Sequence, residues 1–302
     1  MRAAAFEEKQ SMKLATFTHA GRTRIGIVVD DQIVDLAVAA PELPTEMKAF
    51  LAAGPAALAA ARAAAGAAAR LDLAAVRLEA PVHDPQKFLG AGLNYADHIA
   101  ETGKEQPKYP TFFNKQSSCV NAPFDPVWLP RGERRLTDYE GELAIVIGKR
   151  CRRVPKERAA EVIAGYTIVD DVSQRDWQKR AVTMTLGKSW DTHGPMGPWI
   201  VTGDEIGDPH ALDLKTWVNG ELRQDSNTRY MIFDCFEQVA TLSTVCTLEP
   251  GDVIATGTPS GVGVAMEPMQ FLQPGDRVRI EISGIGAIEH EFVDEPETTT
   301  LV

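Results

Sequence analysis

The chain has 302 residues, 44% hydrophobic and 24% charged, a composition that excludes extended disorder and suits one large domain or two modest ones. Its 31 Lys and Arg stand against 42 Asp and Glu, and the net charge of −11 at pH 7 argues against a nucleic-acid partner. No apolar run approaches the ~20 residues that span a bilayer, so no membrane partner is expected.

Met1–Gln10 lacks the apolar stretch of a signal peptide, and residues 1–12 read as an extension before the first strand. Lys13 to Asp35 reads as short strands. Arg24–Val29 and Gln32–Leu36 flank Asp30-Asp31, the pattern of a two-residue hairpin. Alanine then dominates residues 49–69. Pro44-Thr45-Glu46 offers a helix start, Gly54-Pro55 divides the stretch into two helical pieces, and side chains this small read as surface scaffolding. Residues 13–80 are therefore expected to form a small N-terminal α/β module, and 81–302 a second domain.

Beyond Lys87, strands are expected at 143–147, 165–169, 199–201, 214–218, 252–256 and 277–282. Helices are expected over Pro155–Ala164, Val172–Ala181 and Ile232–Thr244. The irregular alternation does not fit a parallel βαβ fold, so the expected class is α+β with a mostly antiparallel sheet. Cys119, Cys151, Cys235 and Cys246 lie far apart without metal-knuckle spacing, and they read as idle thiols of a cytoplasmic protein.

The densest acidic cluster is Thr137-Asp138-Tyr139-Glu140-Gly141-Glu142, which runs into the apolar Leu143–Ile147. Residues two apart on a strand share a face, so Glu140 and Glu142 project side by side and repel. A hard divalent cation would relieve that repulsion, and Asp171, at another strand end, can add a third oxygen donor. Without such an ion these residues are solvated acids at a strand edge. In Gly92–Gly103, Asn94 is expected to cap a short helix that Gly103 ends, with His98 and Glu101 three apart on one face. That spacing serves a general base as well as it serves a surface ion pair. Lys115 and Lys188 could each meet a substrate carboxylate or an oxyanion, and Gly187 would allow close backbone approach beside Lys188. The glycine-rich run Ala255–Gly263 follows a strand but lacks a P-loop ending, and it reads as a carboxylate-binding loop.

Taken in order, these motifs resemble the fumarylacetoacetate hydrolase family. The matching segments are Gly92–His98, Tyr139–Leu143, Asp171–Asp176, Gly187–Ser189, Val218–Glu221 and Thr256–Gly263, and the resemblance covers roughly residues 83–302. It implies a mixed β-sandwich roll, commonly a homodimer, with Glu140, Glu142 and Asp171 as ligands of Mg²⁺ or Mn²⁺. It also implies that Lys188 stabilises negative charge near the metal. His98 and Glu101 would be an acid–base pair on a lid, and Lys115, Gln178 and Thr258 would line the substrate pocket. Residues 94–108 are expected to become ordered over the metal when substrate binds. Leu93 departs from acylpyruvase-like relatives, which often carry Arg there.

The activity implied is hydrolysis of a C–C bond in a 2,4-dioxo acid such as an acylpyruvate, with an enolate leaving group. Decarboxylation of a 2-oxo acid and isomerisation or hydration of a dienoate are the alternatives. A catalytically silent metal- or ligand-binding protein is the reading from outside enzymology.

Overall fold

The computed structural model describes residues 12–132 and 136–297, so residues 1–11 of the expected extension lie outside the described residues. The expected hairpin forms: Arg22–Val29 pairs with Gln32–Asp35, and Asp30 takes the positive φ that such a tight turn requires. Lys13–His19 pairs antiparallel with Arg22–Val29 on one side. On the other it meets Gly194–Thr202, with Lys13 opposite Val201. One 12-stranded sheet therefore runs through both parts of the chain.

From Gly194–Thr202 that sheet continues through Ile163–Asp170, Gly141–Ile147, Val253–Ala255 and Phe88–Gly92 to Thr111–Lys115. A five-stranded sheet, from Glu221–Asn227 through Asp213–Val218, Arg277–Ile282 and Gly286–Asp294 to Val127–Leu129, packs across it. The period-two alternation of Gly141–Ile147 explains the layering. Leu143, Ile145 and Ile147 enter the core shared with Leu214, Val278 and Ile280, whereas Ala144 and Val146 face a second core with Phe50 and Leu51. The class is α+β, a sandwich of two mainly antiparallel sheets with a small N-terminal module.

The alanine-rich stretch gives the helices Met47–Ala52 and Pro55–Ala64, divided at Gly54-Pro55. They are more than scaffolding, because Met47, Phe50, Leu51, Ala57 and Ala61 are buried. Two expected helices are corrected. Over Pro155–Ala164 only a 3-10 turn forms, at Lys156–Val162, since Ile163 is already drawn into strand pairing with Ile147. Over Val172–Ala181 only Arg175–Gln178 is helical, because Ser173–Gln174 pairs with Thr137–Asp138 beside the acidic cluster. The third, Cys235–Val245, is capped by the Asp234 carboxylate accepting from Glu237 N.

The four cysteines are free thiols, with Cys119 and Cys235 buried. Among the described residues, no helix is long and apolar enough to cross a membrane.

Candidate active site

Glu140 and Glu142 flank the start of the Gly141–Ile147 strand, and Asp171 follows the end of its neighbour, where Gly141 pairs with Asp170. Antiparallel pairing thus delivers the three carboxylates to one place. All three are buried, and one oxygen from each lies within 4.8 Å of the others. At that separation two charges repel by about 3–4 kcal/mol at an effective dielectric near 20. Burial first, then the charges of Asp171 and Glu140, push the Glu142 carboxyl well above the ordinary glutamate range. Burial would also raise Glu140, but Lys188 and then Arg175 outweigh it and hold its carboxyl well below the usual range. An all-oxygen set this crowded could coordinate a hard divalent cation, which would relieve the repulsion.

Buried cations brace the cluster. Lys188 Nζ donates to Glu140 Oε2 at 2.7 Å and to Asp171 Oδ2 at 2.6 Å. Arg175 Nη1 donates to Glu140 Oε1 at 2.6 Å, while its Nε and Nη2 both reach Asp138 Oδ2. Gly187 permits this packing: a Cβ there would sit 2.4 Å from the backbone of Gln178. Lys115, expected on the pocket wall, lies behind it. Its Nζ donates to Asp171 Oδ1 at 2.7 Å, to His193 O at 2.9 Å and to Lys188 O. The Lys115 ammonium therefore orients Asp171 and ties down the segment from Lys188, at the end of the Thr185–Lys188 helix, to His193.

His98 and Glu101 lie on the Ala96–Thr102 helix, with Nδ1 3.3 Å from Glu101 Oε2. Donation from Nδ1–H to the carboxylate leaves Nε2 as the basic nitrogen. Asn94 is not the cap: Tyr95 takes that position, and the buried Asn94 amide instead bonds Phe233 N, Phe233 O and Thr256 O. Gly103 ends the helix with a left-handed φ of 62°. Protein contacts hold this helix, with Ser226 Oγ donating to Asp97 Oδ2 at 2.6 Å. The segment from Gly103 to Pro110, which follows it, has neither helix nor strand.

The glycine-rich loop does bind carboxylates, and they are the protein's own. Gly257 N donates to Glu142 Oε2 at 2.7 Å, Gly261 N to Glu101 Oε1 at 2.9 Å, and Gly263 N and Val264 N to Asp138. One loop therefore fixes the acidic cluster, its Asp138–Arg175 brace and the helix above it.

A cavity of about 560 Å³ opens over this arrangement, and His98, Glu101, Glu140, Gln178, Lys188 and Thr258 all line it. Thr258 Oγ1 donates to Gly141 O at 3.0 Å, and Gln178 Oε1 accepts from Arg175. Arg175 is also on the wall, and neither it nor Asp138 was given a role from sequence. The available signal was the period-two spacing of Asp138, Glu140 and Glu142, acids that once buried need cations beside them.

The sequence matches the family description "Fumarylacetoacetate (FAA) hydrolase C-terminal" over residues 87–293. It is 42% identical over 290 residues to an oxaloacetate tautomerase fahd2, mitochondrial, of Xenopus laevis, covering 94% of this chain and 91% of that protein. The fold matches a fumarylacetoacetate hydrolase from Exiguobacterium antarcticum with a TM-score of 0.83 and 38% identity, over 94% of this chain and 100% of that one. It also matches maleylpyruvate hydrolase from Sphingobium sp. SYK-6 in complex with manganese(II) ion and pyruvate, with a TM-score of 0.80, 37% identity and the same coverage. The chain belongs to the fumarylacetoacetate hydrolase family.

Proposed function

We propose that the protein hydrolyses the C3–C4 bond of a 2,4-dioxo acid. The observation that carries this reading is that the His98–Glu101 pair lines one cavity with Lys188 and with Glu140, a member of the buried carboxylate triad, and that its apolar wall has room for an acyl chain. Glu140, Glu142 and Asp171 would hold Mg²⁺ or Mn²⁺, which when bound supplies Lewis-acid polarisation of the 2-oxo acid's oxygens.

The chain's own groups account for the rest. His98 Nε2 takes a proton from water, and the water oxygen attacks the C4 carbonyl. Glu101 holds the imidazole in the required tautomer and offsets the charge it gains. When the adduct collapses, the electrons of the C3–C4 bond pass to C3 and the C2 oxygen, giving an enolate beside Lys188. His98 returns its proton to C3. The products are a shorter 2-oxo acid and a carboxylic acid, with water supplying hydroxyl to C4 and hydrogen to C3. Gln178 and Thr258 would orient the substrate from the wall. The hydrolases among the structural relatives support this reading, one of them with manganese and pyruvate bound.

A second reading is favoured by the tautomerase relative. In a keto–enol shift, His98 would move a proton between C3 and the C2 oxygen, and the carbon skeleton would survive. Incubation of acetylpyruvate and of oxaloacetate with the Mg²⁺- or Mn²⁺-loaded enzyme in heavy-oxygen water separates the two. Hydrolysis places the label in a newly formed carboxylate, here that of acetate. Accelerated enol–keto interconversion with an intact skeleton supports the second reading. Release of carbon dioxide faster than the metal ion alone produces it, or no reaction with either compound and with longer acylpyruvates, contradicts both.

A further inference from the structure

We propose that Gln224 is a positioning residue that sets the Thr258 hydroxyl on the cavity wall against the floor segment between Glu140 and Glu142. The inference rests on the 2-oxo acid reading above, in which Thr258 contacts the substrate. Gln224 lies on the Glu221–Asn227 strand at the edge of the five-stranded sheet, and it is fully buried. Burying an amide without partners is costly, yet here the oxygen and both amide hydrogens are used. Oε1 accepts from Gly141 N at 3.0 Å, while Nε2 donates to Thr258 Oγ1 at 2.8 Å and to Pro259 O at 3.0 Å. A backbone N–H at one end and a backbone carbonyl at the other leave the amide one orientation. Two residues on, Ser226 Oγ reaches Asp97 on the His98 helix, so side chains of this strand meet floor, wall and helix.

That orientation decides what Thr258 can do. A hydroxyl has one proton and two acceptor sites. The Gln224 amide fills one acceptor site, and the proton goes to Gly141 O at 3.0 Å. Gly141 is thereby held at both its N–H and its carbonyl by one Gln224–Thr258 ring, midway between two of the three clustered carboxylates. The contact is close: a Cβ on Gly141 would sit 2.4 Å from Oγ1 of Thr216, the residue paired with Gln224 across the strands. Because Gln224 donates to the Thr258 oxygen, the hydroxyl cannot give its proton back to Gln224. That proton stays with Gly141 O or passes to an anionic group in the cavity that Thr258 lines. A residue without a donor at this position would free the hydroxyl to turn away, whereas the native amide keeps the oxygen in place as the proton moves.

Calorimetric titration of pyruvate at saturating Mn²⁺ tests this in wild type, Gln224→Met, Thr258→Val and the double variant, each first shown to be folded by circular dichroism. Each single variant should bind pyruvate about tenfold more weakly than wild type, the scale of one hydrogen bond to a charged group. The double variant should bind within about twofold of Thr258→Val, because Gln224 acts through a hydroxyl that is already gone. A residue that served only the fold would add its loss in full, to about a hundredfold. If Gln224→Met does not fold, Gln224→Glu replaces it in the cycle, since it keeps the shape and the acceptor for Gly141 N. Its carboxylate draws the Thr258 proton to itself, and the effect of its charge on pyruvate cancels between the two backgrounds. The loss it causes should then be about tenfold greater with Thr258 intact than beside Thr258→Val. Wild-type affinity in the Gln224 single variant, or losses that multiply in the double variant, overturns the inference and leaves the 2-oxo acid reading intact. No pyruvate binding by Mn²⁺-loaded wild type overturns that reading, and the inference with it.

Discussion

The floor of the site and the helix above it are built in opposite ways. Glu140, Glu142 and Asp171 stand at the ends of strands buried on both faces, and each is fixed by a buried cation or a backbone N–H. The Ala96–Thr102 helix has seven residues, none of them buried, far short of the ~12–15 at which an isolated helix becomes even marginal in water. Polar contacts from Ser226 to Asp97 and from Gly261 to Glu101 hold it in place. The three carboxylates thus sit at the ends of strands buried on both faces, and the His98–Glu101 pair on a short helix without buried residues. On the proposed reading, such a division would let the base approach and withdraw without disturbing the floor.

The comparison can be broken first at the floor. Glu142→Ala should lower turnover by more than about a thousandfold, the scale of losing a preorganised charge-stabilising group. Steady-state assays across a range of Mg²⁺ should show no rescue. On the helix, His98→Ala should lower turnover by roughly two to four decades, the usual cost of losing a general base. Glu101→Gln should cost about tenfold to a hundredfold, since the imidazole remains but its tautomer and charge are no longer held. A larger effect from Glu101→Gln than from His98→Ala would reverse the roles given to the pair.

A smaller effect separates the two regions by acid. Burial lowers the His193 pKa to about 3, and its Nε2–H is held by Trp128 O under the floor. Between the ordinary histidine value near 6.5 and about 3, the unfolded chain binds a proton that the folded one excludes. Stability is therefore full above that window and falls as pH drops through it, by about 1.4 kcal/mol per unit from this group. Denaturant titrations from pH 7 to pH 4 should show that slope, and His193→Gln should flatten it. The finest test is hydrogen exchange with Mg²⁺ and oxalate, which should slow the amides of residues 103–110 more than those of 140–147.

Sequence reading reached the floor more easily than the brace behind it. Carboxylates alternating along a strand announce themselves, because period two maps directly onto a face. The helical counterpart of that rule, residues three apart on one face, makes His98 and Glu101 legible. Lys115 was misplaced because a lysine between aromatic and hydroxyl residues reads the same whether it lines a pocket or lies behind one. Only the pairing of Phe88–Gly92 with Thr111–Lys115 puts its amine against Asp171. The helix expected over Val172–Ala181 is shortened for the same long-range reason, since Ser173–Gln174 bonds to Thr137–Asp138 far back in the chain. Local propensity carries no information on such a bond.

The separation of floor from helix is tested most directly by calorimetric titration of Mn²⁺ into wild type, Glu142→Ala and His98→Ala, each first shown to be folded by circular dichroism. The account predicts that His98→Ala binds the ion within about twofold of wild type, while Glu142→Ala loses at least about tenfold in affinity. Equal binding by all three proteins, or loss in His98→Ala with retention in Glu142→Ala, would contradict it.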